Sequence, residues 1–273
     1  MSGIIVGGDL AVYPRRQPGL LTEDRFDRST CGWTQLMEGV HGVGTMVLDS
    51  EITYDGSPYS LLFGTEDYSY NSDKPWSGIE GIKRMSRGPK LGKIMLTWVW
   101  AWGSARAAVT SDTPRTIGGG FDQAAPSGLR QFAKWRWHNY DEALNQRVSE
   151  MRLLSADGSF IAVPTGSDGD AKIDPGVNEN KRNLWVTRMV LDWDANGEVV
   201  YDGLAFGGEN SWKGWGSLAS TPDTSLRAIK PPPHTLTQFA GGCNATWEHT
   251  NRTNTNDSKS WSNLAYFRAE EVN

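Results

Sequence analysis

The alternation of residues 94–102 constrains the fold more than any other feature of this chain. In the segment IMLTWVWAW, tryptophan recurs at every second position. Successive side chains of a strand point to opposite faces, so a period of two predicts a strand and not a helix. One face carries Ile94, Leu96, Trp98, Trp100 and Trp102, and the other carries Met95, Thr97, Val99 and Ala101. Because both faces are apolar, we expect a central strand that is covered on both sides.

A second tryptophan-bearing strand is predicted at residues 129–140. Trp135 and Trp137 share one face, and Lys134, Arg136 and His138 share the other, which predicts tryptophans pointing inward and cations outward. Two hairpins are predicted, one turning at Asp157-Gly158 and one at DANG, residues 194–197. The predicted strand regions, hairpins included, are 57–65, 90–102, 129–140, 147–164, 184–206, 236–249 and 260–271.

The polar stretches between these strands predict four long loops. They cover residues 66–80, 103–128, 165–182 and 207–236. Loops of this length are uncommon in compact domains and often carry function. The basic run that contains Lys83 and Arg84 is interpreted as a solvated turn before the tryptophan strand.

Consecutive strands without alternating helices predict an all-β fold, an antiparallel β-sandwich of the jelly-roll kind. We assign residues 23–273 to this sandwich. Residues 1–22 show no helical or strand period, and we interpret them as an extended N-terminal arm that docks on another chain, since disordered tails are usually poor in apolar residues. The docking residues would be Ile4, Ile5, Val6, Leu10 and Tyr13.

Composition excludes several classes of partner and cofactor. The net charge of −5 argues against binding nucleic acid, which requires many cations. No apolar run approaches the length of a membrane span, so no membrane insertion is expected. No cofactor motif is present, and we predict no cofactor. The two cysteines, Cys31 and Cys243, leave open whether they form a disulfide bond.

The common catalytic signatures are absent, and we assign no catalytic residue from the sequence. A pair of glycosidase carboxylates remains open, because such a pair is defined by its spacing across a cleft. Its candidates are Glu51, Asp192, Asp194, Asp202 and Glu209. The segment GSDGDAKID resembles part of a calcium loop, with Asp168, Asp170 and Asp174 as weak metal candidates. A solvated acidic loop is the simpler interpretation, and we predict no metal site.

The loop GGENSWKGWGS offers tryptophans outside any strand pattern. Trp212 and Trp215 can stack on sugar rings, and Asn210 and Lys213 can hydrogen-bond to hydroxyl groups. Packing of this loop against the sandwich or a partner subunit is the alternative. Trp102, at the end of the central strand, is the one strand tryptophan that we expect to reach solvent, and we add it to the candidate glycan-binding residues.

Four motifs in order carry a resemblance to a known family. They are DRFDRSTCGWTQLMEG, DGSPYSLLFGT, GIKRMSRG followed by GKIMLTWVWAW, and NLWVTRMVLDWDANGEVVYDG. This order resembles the concanavalin A-like jelly rolls and, more closely, uncharacterised proteins of actinobacteria and their tailed phages that are known as minor tail proteins. The shared positions are structural ones: Gly32, Trp33, Tyr59, Leu61, Gly197 and Gly203.

The resemblance implies a structural or host-recognition role in a phage tail. We therefore expect a virion protein, assembled in the host cytoplasm, that forms a homo-oligomer. Its partners would be neighbouring tail proteins, contacted through the arm, and a host cell-surface polysaccharide. The absence of a recognisable secretory signal agrees with this expectation, since a virion leaves by lysis. The alternative is a carbohydrate-active enzyme, such as a glycoside hydrolase, or a carbohydrate-binding module acting on cell-wall polysaccharide.

Overall fold

The protein is described here by a computed structural model. It describes residues 19–36, 44–65, 76–85, 93–104, 114–124, 130–141, 143–163, 183–193, 198–208, 224–231, 233–234, 243–252 and 260–272. The first eight strands are β1 (Leu20–Asp24), β2 (Trp33–Leu36), β3 (Gly44–Asp49), β4 (Ser60–Thr65), β5 (Trp76–Met85), β6 (Lys93–Ser104), β7 (Thr116–Ala124) and β8 (Arg130–Asp141). The remaining elements are β9 (Gln146–Leu154), β10 (Phe160–Ala162), β11 (Trp185–Trp193), β12 (Val199–Gly208), α1 (Thr224–Arg227), β13 (Pro233–His234), β14 (Cys243–Arg252) and β15 (Ser260–Val272).

These strands form two antiparallel sheets. The first sheet has seven strands in the order β12-β11-β6-β15-β4-β3, with β1 also paired to β15. The second has eight strands in the order β10-β9-β8-β7-β14-β5-β2, with β13 also paired to β8. The predicted all-β antiparallel sandwich is confirmed. Both predicted hairpins are present as the pairs β9–β10 and β11–β12.

The tryptophan strand β6 is central in the first sheet, as its sequence predicts. It lies between β11 and β15, and Trp98, Trp100 and Trp102 point into the space between the sheets. On the opposite face Val99 and Ala101 are fully buried. A second apolar cluster covers them, formed by Ile52, Leu184, Val186, Ala265 and Tyr266.

Tryptophans of both sheets meet at the centre of the sandwich. The ring centroid of Trp100 lies 6.1 Å from those of Trp135, Trp137 and Trp247. Trp98 packs edge-on against Trp135, with the ring centroids 5.6 Å apart. Such contacts add stability beyond the burial of aromatic area, so this aromatic cluster holds the two sheets together.

The prediction of a loop at residues 103–128 is wrong, because Thr116–Ala124 forms β7 in the middle of the second sheet. The glycines Gly118 to Gly120 suggested a loop, but packing requires them within the strand. A Cβ atom on Gly119 would lie 2.7 Å from Cε2 of Trp98 and 2.9 Å from Nε1 of Trp135. The predicted loop at 66–80 is also wrong at its end, since β5 begins at Trp76.

Lys83 does not lie in a solvated turn, as its basic neighbours suggested, but is buried within β5. Its Nζ forms an ion pair with Asp24 and donates a hydrogen bond to the carbonyl of Cys31 at 2.9 Å. The indole Nε1 of Trp33 donates to the other carboxylate oxygen of Asp24 at 3.0 Å. Because Asp24 belongs to the first sheet and Lys83 to the second, this ion pair ties the sheets together.

The structure describes the end of the predicted N-terminal arm and both cysteines. Residues 1–18, which include all five predicted docking residues, lie outside the described residues. The predicted boundary at residue 22 falls within β1, which pairs with β15 from Leu20 onward. Cys31 and Cys243 are free thiols, which answers the question that the sequence left open.

Tyr201 makes a second polar tie between the sheets. It is fully buried on β12, and its hydroxyl accepts a hydrogen bond from the backbone N–H of Lys134 at 3.0 Å. The same hydroxyl donates to the carbonyl of Leu154 at 2.9 Å. It therefore satisfies one backbone group on each of two neighbouring strands of the second sheet.

Replacing Tyr201 with phenylalanine is expected to lower the free energy of unfolding by about 1–3 kcal/mol, because two buried backbone groups lose their partner. Urea unfolding followed by tryptophan fluorescence measures this loss. Tyr140→Phe is the control, since that hydroxyl donates to Asn145 at an exposed turn. An equal loss in both variants would contradict the special role of Tyr201.

Candidate functional site

The outward face of the second sheet gathers charged side chains from five neighbouring strands. We call it the charged face. Its charged members are Glu80, Arg84, Asp122, Lys134, Arg136, Glu150, Arg152 and Glu248. Strand register aligns Arg152, Arg136, Gly118, Glu248 and Glu80 in one row across the sheet. Groups that are far apart in sequence therefore become lateral neighbours.

Glycines on β7 allow charged groups to meet across that strand. Gly118 and Gly120 occupy outward positions between β8 and β14, so no side chain rises between the flanking strands. A Cβ atom on Gly118 would lie 2.9 Å from Cγ of Arg136 and 3.2 Å from Oε1 of Glu248. The bare strand thus lets Arg136 reach over β7 to Glu248.

Glu248 is the centre of the resulting ion-pair network. Both of its carboxylate oxygens accept hydrogen bonds from Arg136, with Nη2 donating to Oε2 at 3.0 Å. Lys134 Nζ contacts the same Oε2 and lies 3.3 Å from Oε1 of Glu80. The side chains of Glu248 and Lys134 are 5% and 6% exposed, whereas those of Arg136 and Glu80 are each 27% exposed. The network is therefore buried at Glu248 and Lys134 and accessible to solvent at its rim, Arg136 and Glu80.

The charge of Glu248 is fixed by its neighbours. Burial alone would raise the pKa of this carboxyl group, but Arg136 and Lys134 outweigh burial and lower the pKa to about 2. Glu248 is therefore an anion at any ordinary pH. The guanidinium of Arg136 makes one further contact at the rim. It lies 3.8 Å from the ring centroid of Phe160, and this cation–π contact also fixes its position.

A second group of charges continues the row on β9. Arg152 pairs with Glu150 at 2.6 Å and with Asp141 at 3.2 Å. His138 Nε2 lies 3.7 Å from Oδ2 of Asp141. Burial, followed by the charge of Arg152, lowers the pKa of His138 to about 4, so the imidazole is neutral at neutral pH. The predicted outward direction of Lys134, Arg136 and His138 is confirmed, but Lys134 and His138 are buried and not solvated.

Stability is expected to fall as the pH drops below about 6.5. Burial lowers the pKa of His249 to about 3, and its Nε2 lies 2.9 Å from the hydroxyl oxygen of Ser260. Below pH 6.5 the unfolded chain takes up protons at His138 and His249, whereas the folded chain does so only near pH 4 and pH 3. Glu248 acts in the same direction below pH 4.5, its ordinary pKa.

Urea unfolding at about pH 7 and about pH 5 checks this expectation, with a predicted loss of about 2–4 kcal/mol at the lower pH. His249→Gln should reduce the difference, because it removes one of the two titrating imidazoles. Equal free energies of unfolding at the two pH values would contradict the prediction.

Most of the sequence-predicted site residues fall outside the part of the chain that the structure describes. These are the loop residues Asn210, Trp212, Lys213 and Trp215, and the weak metal candidates Asp168, Asp170 and Asp174. Trp102 is described, and the expectation that it reaches solvent is wrong. It is 3% exposed, and its ring centroid lies 5.2 Å from that of Trp137, so it belongs to the aromatic core.

The candidate carboxylates within the described residues, Glu51, Asp192 and Asp202, do not form a facing pair with room for a substrate. Asp192 and Asp202 are brought together, but Arg227 of α1 binds both of them, and Lys93 lies 2.7 Å from Asp202. Glu51 is exposed beyond β3, and Asp194 and Glu209 lie outside the described residues. Arg227 and Lys93 neutralise the Asp192–Asp202 pair, which thus serves to anchor α1 on the sandwich.

Sequence reasoning missed the two acids that do face each other, Glu80 and Glu248. Glu248 lies within the predicted strand 236–249. Because its neighbour Trp247 points inward, the alternation of a strand places Glu248 on the outward face. Glu80 falls in the predicted loop 66–80, so the sequence did not predict that it belongs to a strand. The register between β5 and β14, which sets these two residues directly opposite each other, is known only from the fold.

Within the ranges given above, no three His, Cys, Asp or Glu side chains are grouped so that they could hold a metal ion. Over the same ranges, no helix has the length and apolar character needed to cross a membrane.

No protein-family model matches the chain, and no curated protein matches it significantly. Some solved structures are similar to the chain over most of their length. The carbohydrate recognition domain of Emp47p is 10% identical, with a TM-score of 0.42, and the match covers 94% of each chain. The CBM2 module of the evolved Dit of Lactobacillus casei BL23 phage J-1 is 8% identical, with a TM-score of 0.43, covering 93% of this chain and 97% of that one.

A GH131 β-glucanase catalytic domain from Podospora anserina is 12% identical, with a TM-score of 0.41, covering 86% of this chain and 84% of that one. At such identities and TM-scores the likeness says nothing about a ligand or an activity of this chain.

Proposed function

We propose that this protein binds a glycan through the charged face and does so as a host-recognition component of a phage tail. The observation that carries the binding proposal is the network of Arg136, Lys134, Glu248 and Glu80 over the bare glycine strand β7. Its groups are held in position by one another, so a ligand that pairs with them meets little ordering cost.

The chemistry of the face suits sugar hydroxyl groups. A hydroxyl both donates and accepts hydrogen bonds, and the rim offers guanidinium donors beside carboxylate acceptors. Phe132 and Phe160 add aromatic rings at the same surface, close to Lys134 and Arg136 respectively. The eight charged members named for the face are four carboxylates and four cations, which favours an uncharged glycan over an acidic one.

Retention on cell-wall polysaccharide of the host, compared with a column lacking the polysaccharide, tests the binding proposal. Arg136→Met keeps the aliphatic stem but removes the guanidinium, and we expect it to weaken retention at least about tenfold, the loss of one charged hydrogen-bonding group. Arg268→Met is the matched control. Arg268 is also 27% exposed and paired with a glutamate, but it lies on the outward face of the first sheet. Equal retention of the two variants would overturn the proposal.

The loop tryptophans are a separate part of the proposal. Trp212 and Trp215 would extend the binding surface by stacking on sugar rings, as their Gly/Ser-rich context suggests. Replacing both with alanine should reduce retention further. Unchanged retention of this double variant would remove the loop from the proposal and leave the charged face as the binding surface.

The tail role is supported by the order of sequence motifs and by the apolar residues of the N-terminal segment. In this proposal Ile4, Ile5, Val6, Leu10 and Tyr13 contact neighbouring tail proteins, and the protein is a homo-oligomer within the virion, assembled in the host cytoplasm. Antibody labelling of purified virions tests this role independently of glycan binding. Labelling at the tail is expected, and intact particles without the protein would contradict it.

A further inference from the structure

The ring of Trp261 lies outside the core of the sandwich. The residue that follows it on β15, Ser262, points inward, because its hydroxyl accepts a hydrogen bond from Trp247 of the second sheet at 3.1 Å. Side chains alternate along a strand, so Trp261 points to the outward face of the first sheet. Among the tryptophans whose burial the structure describes, Trp261 alone belongs neither to the core between the sheets nor to the second apolar cluster. Packing of the core therefore does not account for a large aromatic ring at this position.

Two glycines leave the strands on either side of Trp261 without side chains next to it. In the strand register Trp261 pairs with Gly103 of β6 and with Gly64 of β4. The indole extends over Gly103, where a Cβ atom would lie 2.5 Å from its Cε2 atom. The residue is partly exposed to solvent, so part of the ring is open to a ligand. An aromatic ring with an open surface is suited to stacking against an apolar face of another molecule.

The surface beside the indole offers a hydroxyl group and apolar side chains. Thr45 of β3 follows Gly64 in the same row across the sheet, and it is exposed. Its hydroxyl oxygen lies 3.2 Å from the position that a Cβ atom of Gly64 would take, so the hydroxyl group leans over this glycine. In the next outward row, Leu62 is partly exposed and Val47 is 50% exposed. We call the surface formed by Trp261, Gly64, Thr45, Leu62 and Val47 the Trp261 patch.

The two rows of residues that form this patch carry no charge across the described strands β6, β15, β4 and β3. One row comprises Gly103, Trp261, Gly64 and Thr45, and the other comprises Ala101, Asn263, Leu62 and Val47. A charged ligand would give up part of its hydration here without gaining an ionic partner. The patch therefore favours an uncharged ligand.

We propose that the Trp261 patch is a second binding site, which takes the apolar face of a neutral sugar ring. In a hexopyranose, C–H groups project from the faces of the ring and hydroxyl groups surround its edge. The C–H face stacks on the indole, and a hydroxyl group at the edge exchanges a hydrogen bond with the hydroxyl of Thr45. Adjacent strands are about 4.8 Å apart, which places Thr45 about 10 Å from Trp261 and leaves the space over Gly64 for the sugar ring.

This inference goes beyond the proposed function, because the patch belongs to the first sheet and the charged face to the second. The outward faces of the two sheets lie on opposite sides of the sandwich, so one short oligosaccharide cannot contact both. A protein with both sites holds two polysaccharide chains at once, or two parts of one long chain. Such bivalent attachment strengthens retention without any new contact at either site.

Hydroxyl-radical footprinting of the full-length wild-type protein tests the patch without any variant. The probes are neutral hexasaccharides of glucose, galactose and mannose, together with neutral fragments of the host polysaccharide. We expect at least one probe to lower oxidation of the peptide containing Trp261 about fivefold or more when it reaches about ten times its Kd, since most sites are then occupied. Unchanged oxidation of this peptide with every probe would overturn the proposal.

Two matched leucine variants test the role of the indole ring. Trp261→Leu should weaken binding of the protecting hexasaccharide at least about tenfold, as expected when an aromatic anchor of a binding site is lost. Trp193→Leu is the control, because Trp193 is also a partly exposed tryptophan of the first sheet but packs against the core. This control should keep the wild-type affinity. Equal affinity of the wild type and Trp261→Leu would overturn the proposal.

Thr45→Val removes the hydroxyl group beside the indole and keeps the shape of the side chain. We expect about a two- to tenfold loss of affinity for the same hexasaccharide, the size of one hydrogen bond. Isothermal titration calorimetry gives the value.

Contact with a second copy of this chain is the other use of such a surface. Light scattering of the wild type and Trp261→Leu measures the oligomeric state of each. Dissociation of an oligomer in the variant, with its affinity for the hexasaccharide unchanged, would assign the patch to a protein contact and overturn the sugar site.

The outcomes separate this inference from the proposed function. Protection of Trp261 by a probe, together with unchanged retention of Arg136→Met, would support the Trp261 patch and remove the charged face as a binding site. Reduced retention of Arg136→Met, without protection of Trp261 by any probe, would keep the charged face and remove the patch.

Discussion

Gly119→Ala is expected to lower the free energy of unfolding by more than about 3 kcal/mol, beyond the usual cost of overpacking a core. The added methyl carbon would lie 2.7 Å from Trp98 and 2.9 Å from Trp135, at distances that real Cβ atoms essentially never show. Both rings are fully buried and packed against other tryptophans, so neither can move aside without displacing the aromatic cluster. Urea unfolding and near-ultraviolet circular dichroism of the tryptophans measure the effect.

Gly64→Ala is the control for this prediction. Gly64 also lies within a strand, but a Cβ atom there would meet only the side-chain ends of Thr45 and Leu62, at 3.2 and 3.3 Å. We expect this change to cost less than about 1.5 kcal/mol, since these groups can shift slightly. If Gly119→Ala were as mild as Gly64→Ala, our account of the packing of β7 against the tryptophans would be wrong.

Lys83→Met is expected to lower the free energy of unfolding by about 3–5 kcal/mol, the usual cost of removing one partner of a buried ion pair. The side chains of Lys83 and Asp24 are 10% and 3% exposed, so water cannot solvate the remaining carboxylate. The hydrogen bond from Trp33 would remain but would leave the negative charge without a cation. Chemical denaturation of the variant gives the value.

A double-mutant cycle completes this test. Asp24→Asn combined with Lys83→Met removes both charges and should recover part of the loss, because no unpaired charge remains. Asp55→Asn breaks the exposed pair between Arg25 and Asp55, with side chains 43% and 59% exposed, and should cost less than about 1 kcal/mol. Equal costs for the buried and the exposed pair would contradict the structural role of Lys83.

The sequence predicts the elements whose own side chains carry a clear period. Strands β6 and β8 have tryptophans at alternate positions, so their existence, their inward faces and the central position of β6 all follow from local pattern. The two hairpins follow from turn residues in the same way. Trp102 shows the limit of that reasoning, because its burial depends on Trp137 from the other sheet.

The elements that the sequence does not predict are those shaped by partners far along the chain. Strand β7 has three consecutive glycines, which normally indicate a turn. Gly119 is nevertheless required by two tryptophans, and Gly118 by the backbone carbonyl of Trp135, 2.4 Å from a Cβ atom at that position, and by the ion pair above it. Lys83 looks like one of several solvated cations until Asp24, 59 residues away, is placed beside it. The Glu80–Glu248 pair depends on strand register, which no local pattern contains.

The glycine strand links the stability of the sandwich to its proposed site. On its inner side it makes room for the tryptophans that join the sheets, and on its outer side it lets Arg136 reach Glu248. Changes at Gly118 should therefore disturb the backbone of β8 and the ion-pair network, whereas changes at Gly119 should disturb the core.

A crystal structure of the protein soaked with an oligosaccharide prepared from host cell-wall polysaccharide tests the central claim most directly. Our account predicts sugar density on the charged face, above Gly118 and Gly120, with hydroxyl groups within hydrogen-bond distance of Arg136 and Glu80. Well-defined sugar bound elsewhere, such as on the outward face of the first sheet, with the charged face unchanged, would contradict it.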